Sequence, residues 1–171
     1  KEPTAQIICD LNYPSGEPSK LAPRQVLKNI IKKLSDEHLQ AVVAPELEFY
    51  LCEQNLDPDL PLKTPVGKSG RRETGSRVFG IDAVNEFDKL TDDIYDYCEL
   101  MNIGVDTLVH ESGPSQIEIN LNHGDPLALA DQAFMFKRAV RQVALKHNIH
   151  ATFMAKPYQG QPGSSMHIHQ N

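Results

Sequence analysis

Three stretches of the chain alternate apolar and polar side chains with a period of two, and their polar positions carry mostly acids, amides or imidazoles. Residues 42–51 read as a strand with Glu46 and Glu48 on one face and Leu47, Phe49 and Leu51 on the other. Residues 107–111 and 116–121 read as two strands around a Ser112-Gly113-Pro114-Ser115 turn. The second of them sets Gln116, Glu118 and Asn120 against Ile117, Ile119 and Leu121. Residues 166–171 hold a His-x-His pair, and in a strand His167 and His169 point the same way. One such strand is what any antiparallel sheet with a wet face shows. Three in one chain, carrying Glu46, Glu48, Glu111, Glu118, His167 and His169, call for a further reason.

Between these strands the period changes to that of a helix. Pro23 opens a segment in which Val26, Leu27, Ile30, Ile31 and Leu34 form one apolar stripe. Residues 87–101 align Leu90, Ile94, Cys98 and Met101, with Gly104 just past the end. Asp125-Pro126 is a strong helix start, and Leu129, Ala133, Phe136, Val140 and Val143 carry that helix to His147 or Asn148. His147 and His150 flank its end and read as cap or surface residues. Lys137, Arg138, Arg141 and Lys146 read as its solvated face. Residues 7–11 suggest a short strand, and the Pro/Gly/Ser stretch 13–19 a linker. Residues 56–80 are polar and rich in Pro and Gly, and read as a long surface loop. Their Gly67-Lys68-Ser69 lacks the earlier glycine of a phosphate loop, since position 62 is Leu. Helices alternating with polar-faced, hairpin-like strands predict an α+β fold, a curved and mainly antiparallel sheet with flanking helices.

Carboxylates gathered on one sheet face repel one another unless cations sit between them. Oxygen-rich donors with one or two imidazoles suit Mg²⁺ or Mn²⁺ better than zinc. Cys9, Cys52 and Cys98 are far apart and show no ligand spacing, which favours reduced thiols and a cytoplasmic setting. A divalent-metal site, with phosphate chemistry as one candidate use, follows from the pattern alone. The net charge of −6 argues against nucleic acid as the main partner. With 40% hydrophobic and 23% charged residues the 171-residue chain reads as globular, with no run approaching the length of a membrane span.

The segments Pro45-Glu46-Leu47-Glu48-Phe49, residues 110–119, and residues 151–157 with Met166-His167-Ile168-His169 resemble, in order and spacing, the glutamine synthetase superfamily. The wording of residues 123–125, 129–132, 136–138 and 144–148, with the insertion 61–80, is most similar to its γ-glutamylpolyamine (γ-glutamylputrescine) synthetase branch. That resemblance implies a ligase that uses ATP to join the γ-carboxylate of glutamate to an amine through a γ-glutamyl phosphate. It implies Glu48, Glu111 and Glu118 as ligands of one Mg²⁺ or Mn²⁺ ion, and Glu46 and His167 as ligands of a second. His169 matches a contact to the nucleotide phosphates, Asp106 an acidic nucleotide contact, and Gly163 a backbone that approaches glutamate. No side chain is implied as a covalent catalyst. Residues 1–20 would be the end of an N-terminal domain and its linker. Residues 21–171 would be the first half of the catalytic domain, which relatives assemble into rings of subunits. On that reading the 171 residues alone are expected to lack ligase activity.

Pro162-Gly163 stands where ammonia-using relatives commonly have Asn-Gly, Asn171 where they usually have Ser, and Val109 where some have His. Three other readings compete with the amine ligase. They are an ammonia-using glutamine synthetase, a family member without activity, and a cupin-like metal oxygenase, which also uses His-x-His. Retention of Glu46, Glu48, Glu111, Glu118 and His167 counts against an inactive protein, and the glycine spacing is wrong for a cupin.

Overall fold

The computed structural model describes residues 5–171. Its centre is β1 (Val43–Glu53), an 11-residue strand. Along one edge runs β3 (Gln116–Leu121), which pairs Glu46 with Asn120, Glu48 with Glu118 and Tyr50 with Gln116. The other edge is shared end to end by two strands. β4 (Ile149–Thr152) pairs with residues 50–53 and β5 (Met166–Gln170) with residues 43–47, which sets His167 opposite Glu46. β2 (Val105–His110) adds to the far side of β3, with an irregular register between Val105 and Leu108. Every pairing in this five-stranded sheet is antiparallel, as the polar-faced strands predict.

Directly opposed residues share a face, so this register gathers Leu47, Phe49, Leu51, Ile117, Ile119 and Leu121 on one side of the sheet. There α3 (Asp88–Leu100) supplies Leu90, Ile94 and Cys98, and α4 (Pro126–Lys146) supplies Leu129, Ala133, Phe136, Val140 and Val143. Phe153, just after β4, closes the stack with ring centroids 5.2 Å from Phe49 and 6.3 Å from Phe136. The opposite face keeps Glu46, Glu48, Glu118 and Asn120. One strand thus divides its residues between a dry core and a polar surface.

The helices start and stop for local reasons. The Asp125 carboxylate accepts from the Ala128 backbone N–H at 2.9 Å and caps α4, whose first residue is Pro126. α1 (Pro23–Asp36) also begins on its proline. The residues after α1, α3 and α4 that take a left-handed backbone are His38 (φ 61°), Asn102 (φ 55°) and Asn148 (φ 58°). Asn102 is therefore the left-handed residue that ends α3, and Gly104 lies just past it, as expected. A further short helix, α2 (Ile81–Asn85), follows the long loop.

Two expectations are corrected. Residues 7–11 form no strand: the Leu11 carbonyl accepts one bond from the Ser19 N–H at 2.9 Å, Asn12 makes an isolated bridge to Pro18, and Ile7 and Leu11 are exposed. The α1 stripe is wider than its contact. Leu27, Ile31 and Leu34 are half-buried, whereas Val26 and Ile30 face outward. The basic side of α4 is exposed at Arg138, Arg141 and Lys146, as a solvated face should be, and its cations also lie over aromatic rings, Lys137 and Arg141 over Phe153 and Lys146 over Tyr97. His147 is the C-cap of α4 and bonds Asp93 at 2.8 Å, as a cap residue should. Gly67-Lys68-Ser69 is likewise structural, with Lys68 paired to Asp88 and the Ser69 N–H donating to Glu86. Cys9, Cys52 and Cys98 are all free thiols, and burial pushes Cys52 and Cys98 up to about 11. Among the described residues no helix is long and apolar enough to cross a membrane.

Candidate functional site

The polar side of β1, β3 and β5 holds the candidate site. Glu46 and Glu48 alternate along β1, Glu118 sits opposite Glu48, and His167 sits opposite Glu46. Glu46, Glu118 and His167 each present a donor atom within 4.8 Å of the others. Nδ1 of His167 lies 3.3 Å from Glu46 Oε2 and 3.9 Å from Glu48 Oε1. Nε2 of His169 lies 2.8 Å from Glu46 Oε1, so Glu46 stands between the two imidazoles of β5. The register alone produces this arrangement: a one-residue slip of β5 would turn both histidines to the other face.

The charges are crowded. Glu48 is buried and Glu118 half-buried. Burial raises Glu118 above the usual carboxylate range, and the charges of Glu46, Glu111 and Glu48 raise it further. Burial also pushes the Tyr50 hydroxyl up to about 12, with Glu48 and Glu111 adding to the effect. A divalent cation would relieve this repulsion, and a donor set of carboxylates with imidazole suits Mg²⁺ or Mn²⁺.

The Glu118 shift carries a sign. A carboxyl raised in the folded state binds more protons folded than unfolded, so stability of the ion-free protein falls as pH rises through its titration. Glu118→Gln is therefore expected to raise the melting temperature of the chelator-treated protein at pH 7.5 and to change it little at pH 4. Thermal unfolding at the two pH values checks this, and a lowered melting temperature at pH 7.5 would contradict it.

The remaining expected residues spread around this cluster. Glu111 opens the β2–β3 turn; its carboxylate accepts the Ser112 N–H at 3.2 Å. It reaches Glu118 electrostatically but lies outside the three-residue group. Gly163 lies in the loop before β5, where an added Cβ would come 2.8 Å from the Ala155 carbonyl oxygen; only glycine fits so close. Asp106 is exposed on β2 beside the register irregularity, and its charge is felt by Tyr95 of α3. The structure therefore does not bring Asp106 into the carboxylate cluster.

Two further residues hold the site together. Gln116 is buried at the end of the turn, and its side-chain N–H₂ donates to Glu48 Oε2 at 2.9 Å and to the Gly163 carbonyl at 3.0 Å. One amide thereby fixes a carboxylate of β1 and the loop that leads to the histidines. The Tyr50 hydroxyl donates to the Pro162 carbonyl at 2.8 Å. Its ring packs so tightly under the turn that a Cβ on Gly113 would sit 1.9 Å from the hydroxyl oxygen. Both residues alternate with Glu48 or Glu118, so strand period placed them on the polar face. Their partners, more than 40 residues away, left no sequence signal.

Comparison with known proteins agrees with this geometry. Residues 20–171 match the family described as glutamine synthetase, catalytic domain. The chain is 41% identical to gamma-glutamylputrescine synthetase of Escherichia coli, covering 96% of this chain and 35% of that protein. It is 36% identical to glutamine synthetase of Thermus thermophilus (96% of this chain, 35% of that protein). Against glutamate–isopropylamine ligase of a Pseudomonas species it is 32% identical (99% and 36%). The ligand-free structure of GmaS superposes with a TM-score of 0.78 at 26% identity, over 94% of this chain and 36% of that one. The chain thus spans about a third of the length of the relatives it matches. A sheet face of carboxylates and paired histidines, and a family match over nearly the whole chain, make it a member of the glutamine synthetase family.

Proposed function

We propose that the protein acts in an ATP-dependent ligase that joins the γ-carboxylate of glutamate to an amine, with putrescine or another polyamine as the amine. The observation that carries this reading is the convergence of Glu46, Glu118 and His167 within 4.8 Å beside the buried Glu48. The 41% identity to gamma-glutamylputrescine synthetase supports the choice of amine. In this proposal Glu48, Glu111 and Glu118 hold one Mg²⁺ or Mn²⁺ ion, and Glu46 and His167 contribute to a second. His169 and Asp106 contact the nucleotide, and the Gly163 backbone faces glutamate.

Bound divalent ions would supply charge neutralisation for the phosphates. The chain's own residues do the positioning. Gln116 holds Glu48 in a single orientation while its other N–H fixes the Gly163 carbonyl. Tyr50 ties down Pro162, so the loop between β4 and β5 lies over the polar face in a set place. In the reaction a glutamate γ-carboxylate oxygen bonds to the γ-phosphorus of ATP and ADP leaves. The amine nitrogen then bonds to the carbonyl carbon of the γ-glutamyl phosphate, phosphate leaves, and the nitrogen gives up a proton.

Release of phosphate from ATP by the full-length protein, with glutamate and Mg²⁺, tests the reading when ammonia is compared with a panel of polyamines. Turnover that favours putrescine or a longer diamine is the expected result. Identities of 33–36% to glutamine synthetases support the second reading, an ammonia-using enzyme, and turnover that favours ammonia would select it. Glutamate-independent release alone would overturn both.

A further inference from the structure

The polar segment between β1 and α2 has the composition of a free surface loop, yet one of its carboxylates is buried in the protein. The Glu73 side chain is 8% exposed. Its Oε2 accepts the Ser115 backbone N–H at 2.5 Å and lies within hydrogen-bond distance of His110 Nε2, at 2.8 Å. The other ring nitrogen of His110 donates to the Glu111 carbonyl at 2.7 Å. Ser115 is 1% exposed and takes a left-handed backbone (φ 59°), a strained state for a residue with a side chain. A single carboxylate oxygen therefore holds both ends of the β2–β3 turn. Glu111 follows the one contact in sequence, and Gln116 follows the other.

We propose that Glu73 is a positioning residue for the cation site. It straps the 56–80 segment onto the turn and thereby fixes Glu111 at the entry and Gln116, with its bond to Glu48, at the exit. The proposal rests on the reading of Glu48, Glu111 and Glu118 as cation ligands. Removing the strap leaves the His110 Nε2 and the Ser115 N–H buried without a partner. The strained turn then relaxes or admits water, and both residues it carries lose their set orientation. Arg77, whose Nε stands 4.0 Å from Glu73 Oε1, cannot take over this role, because a guanidinium only donates and the Ser115 N–H needs an acceptor.

The test is Mn²⁺ affinity of the full-length protein, read from the electron paramagnetic resonance signal of free Mn²⁺. Glu73→Ala is expected to weaken binding by about 10- to 100-fold, the usual scale for losing a partner that orients a ligand. Glu73→Gln keeps an oxygen acceptor at the same reach and is expected to bind within about threefold of the parent. Glu73→Asp keeps the charge but draws the oxygen back by one methylene, and is expected to bind more weakly than Glu73→Gln. Arg72→Ala is the loop control: it frees the same segment from Glu53 of β1, removes a bond within the segment to the Thr64 carbonyl, and touches nothing in the turn. It is expected to bind as the parent does. Unchanged affinity in Glu73→Ala, or equal weakening in Arg72→Ala, would overturn the strap. Glu48→Ala separates the two ideas. If it binds Mn²⁺ like the parent, the cation reading fails; if it loses Mn²⁺ while Glu73→Ala does not, only the strap fails.

Discussion

Replacing Glu48 by alanine in the full-length protein is expected to lower metal-dependent phosphate release by at least about 1,000-fold. That factor corresponds to several kcal/mol of lost charge stabilisation, at about 1.4 kcal/mol per tenfold change. Three features place Glu48 at the head of the list. It is the carboxylate of β1 that is buried, it lies opposite Glu118 in the register, and it accepts the hydrogen bond that orients Gln116. Its removal deletes a negative charge and leaves a buried amide N–H without that acceptor, so affinity for the ion and order in the Gly163 loop should fall together. His147→Ala is the matched control. His147 caps α4 and pairs with Asp93 away from the sheet's polar face, so turnover should stay near the parent value and only stability should drop slightly. Steady-state rates of the two variants at saturating Mg²⁺ decide the matter. Similar losses in both would mean that the division between site and surface is wrong.

The largest loss of stability is expected from Phe136→Ala, about 3–5 kcal/mol by urea unfolding. Phe136 is fully buried where α4 meets the apolar face of the sheet, with Phe153 edge-on to its ring. Alanine would leave a cavity between two rigid layers, because β1 is held on both edges and cannot settle into the space. Phe153 also carries the cations of Lys137 and Arg141, and would lose one wall of its packing. A loss below about 1.5 kcal/mol would indicate that α4 closes over the gap and that the core is less fixed than its burial implies.

Much of this architecture is legible in the residue pattern, and the reasons are particular. Strand period is strict, so Glu46, Glu48 and Glu118 could be assigned to one face, and their opposites to a core, from alternation alone. α4 was readable because Asp125-Pro126 is both a cap and a start, and its apolar stripe meets one partner surface along its length. Residues 7–11 misled because a short, mostly apolar run says nothing about whether a ladder partner lies beside it. The end of α3 was legible to within a residue, with Gly104 past it, but the residue that takes the left-handed backbone there is Asn102, since asparagine also tolerates that conformation. Glu73 was out of reach altogether. A carboxylate in a polar, glycine-rich stretch looks solvated, and its partners His110 and Ser115 lie 37 and 42 residues further on.

The grouping of Glu46 with Glu118 and His167 also differs in detail from the two ligand sets that family resemblance implies, in which Glu118 belongs with Glu48 and Glu111. The register explains how both can arise on one face. Glu118 is directly opposite Glu48 and diagonal to Glu46, within reach of either. His167 and His169 both contact Glu46, which is more exposed than Glu48, the other β1 carboxylate on this face.

The claim that this polar sheet face is a divalent-cation site is tested most directly by Mn²⁺ bound to the full-length protein, with nitrogen couplings read by pulsed electron paramagnetic resonance. The account predicts tight Mn²⁺ binding with an imidazole nitrogen coupling that disappears in His167→Ala and persists in His147→Ala. Absence of bound Mn²⁺, or a nitrogen coupling that survives His167→Ala unchanged, would contradict it.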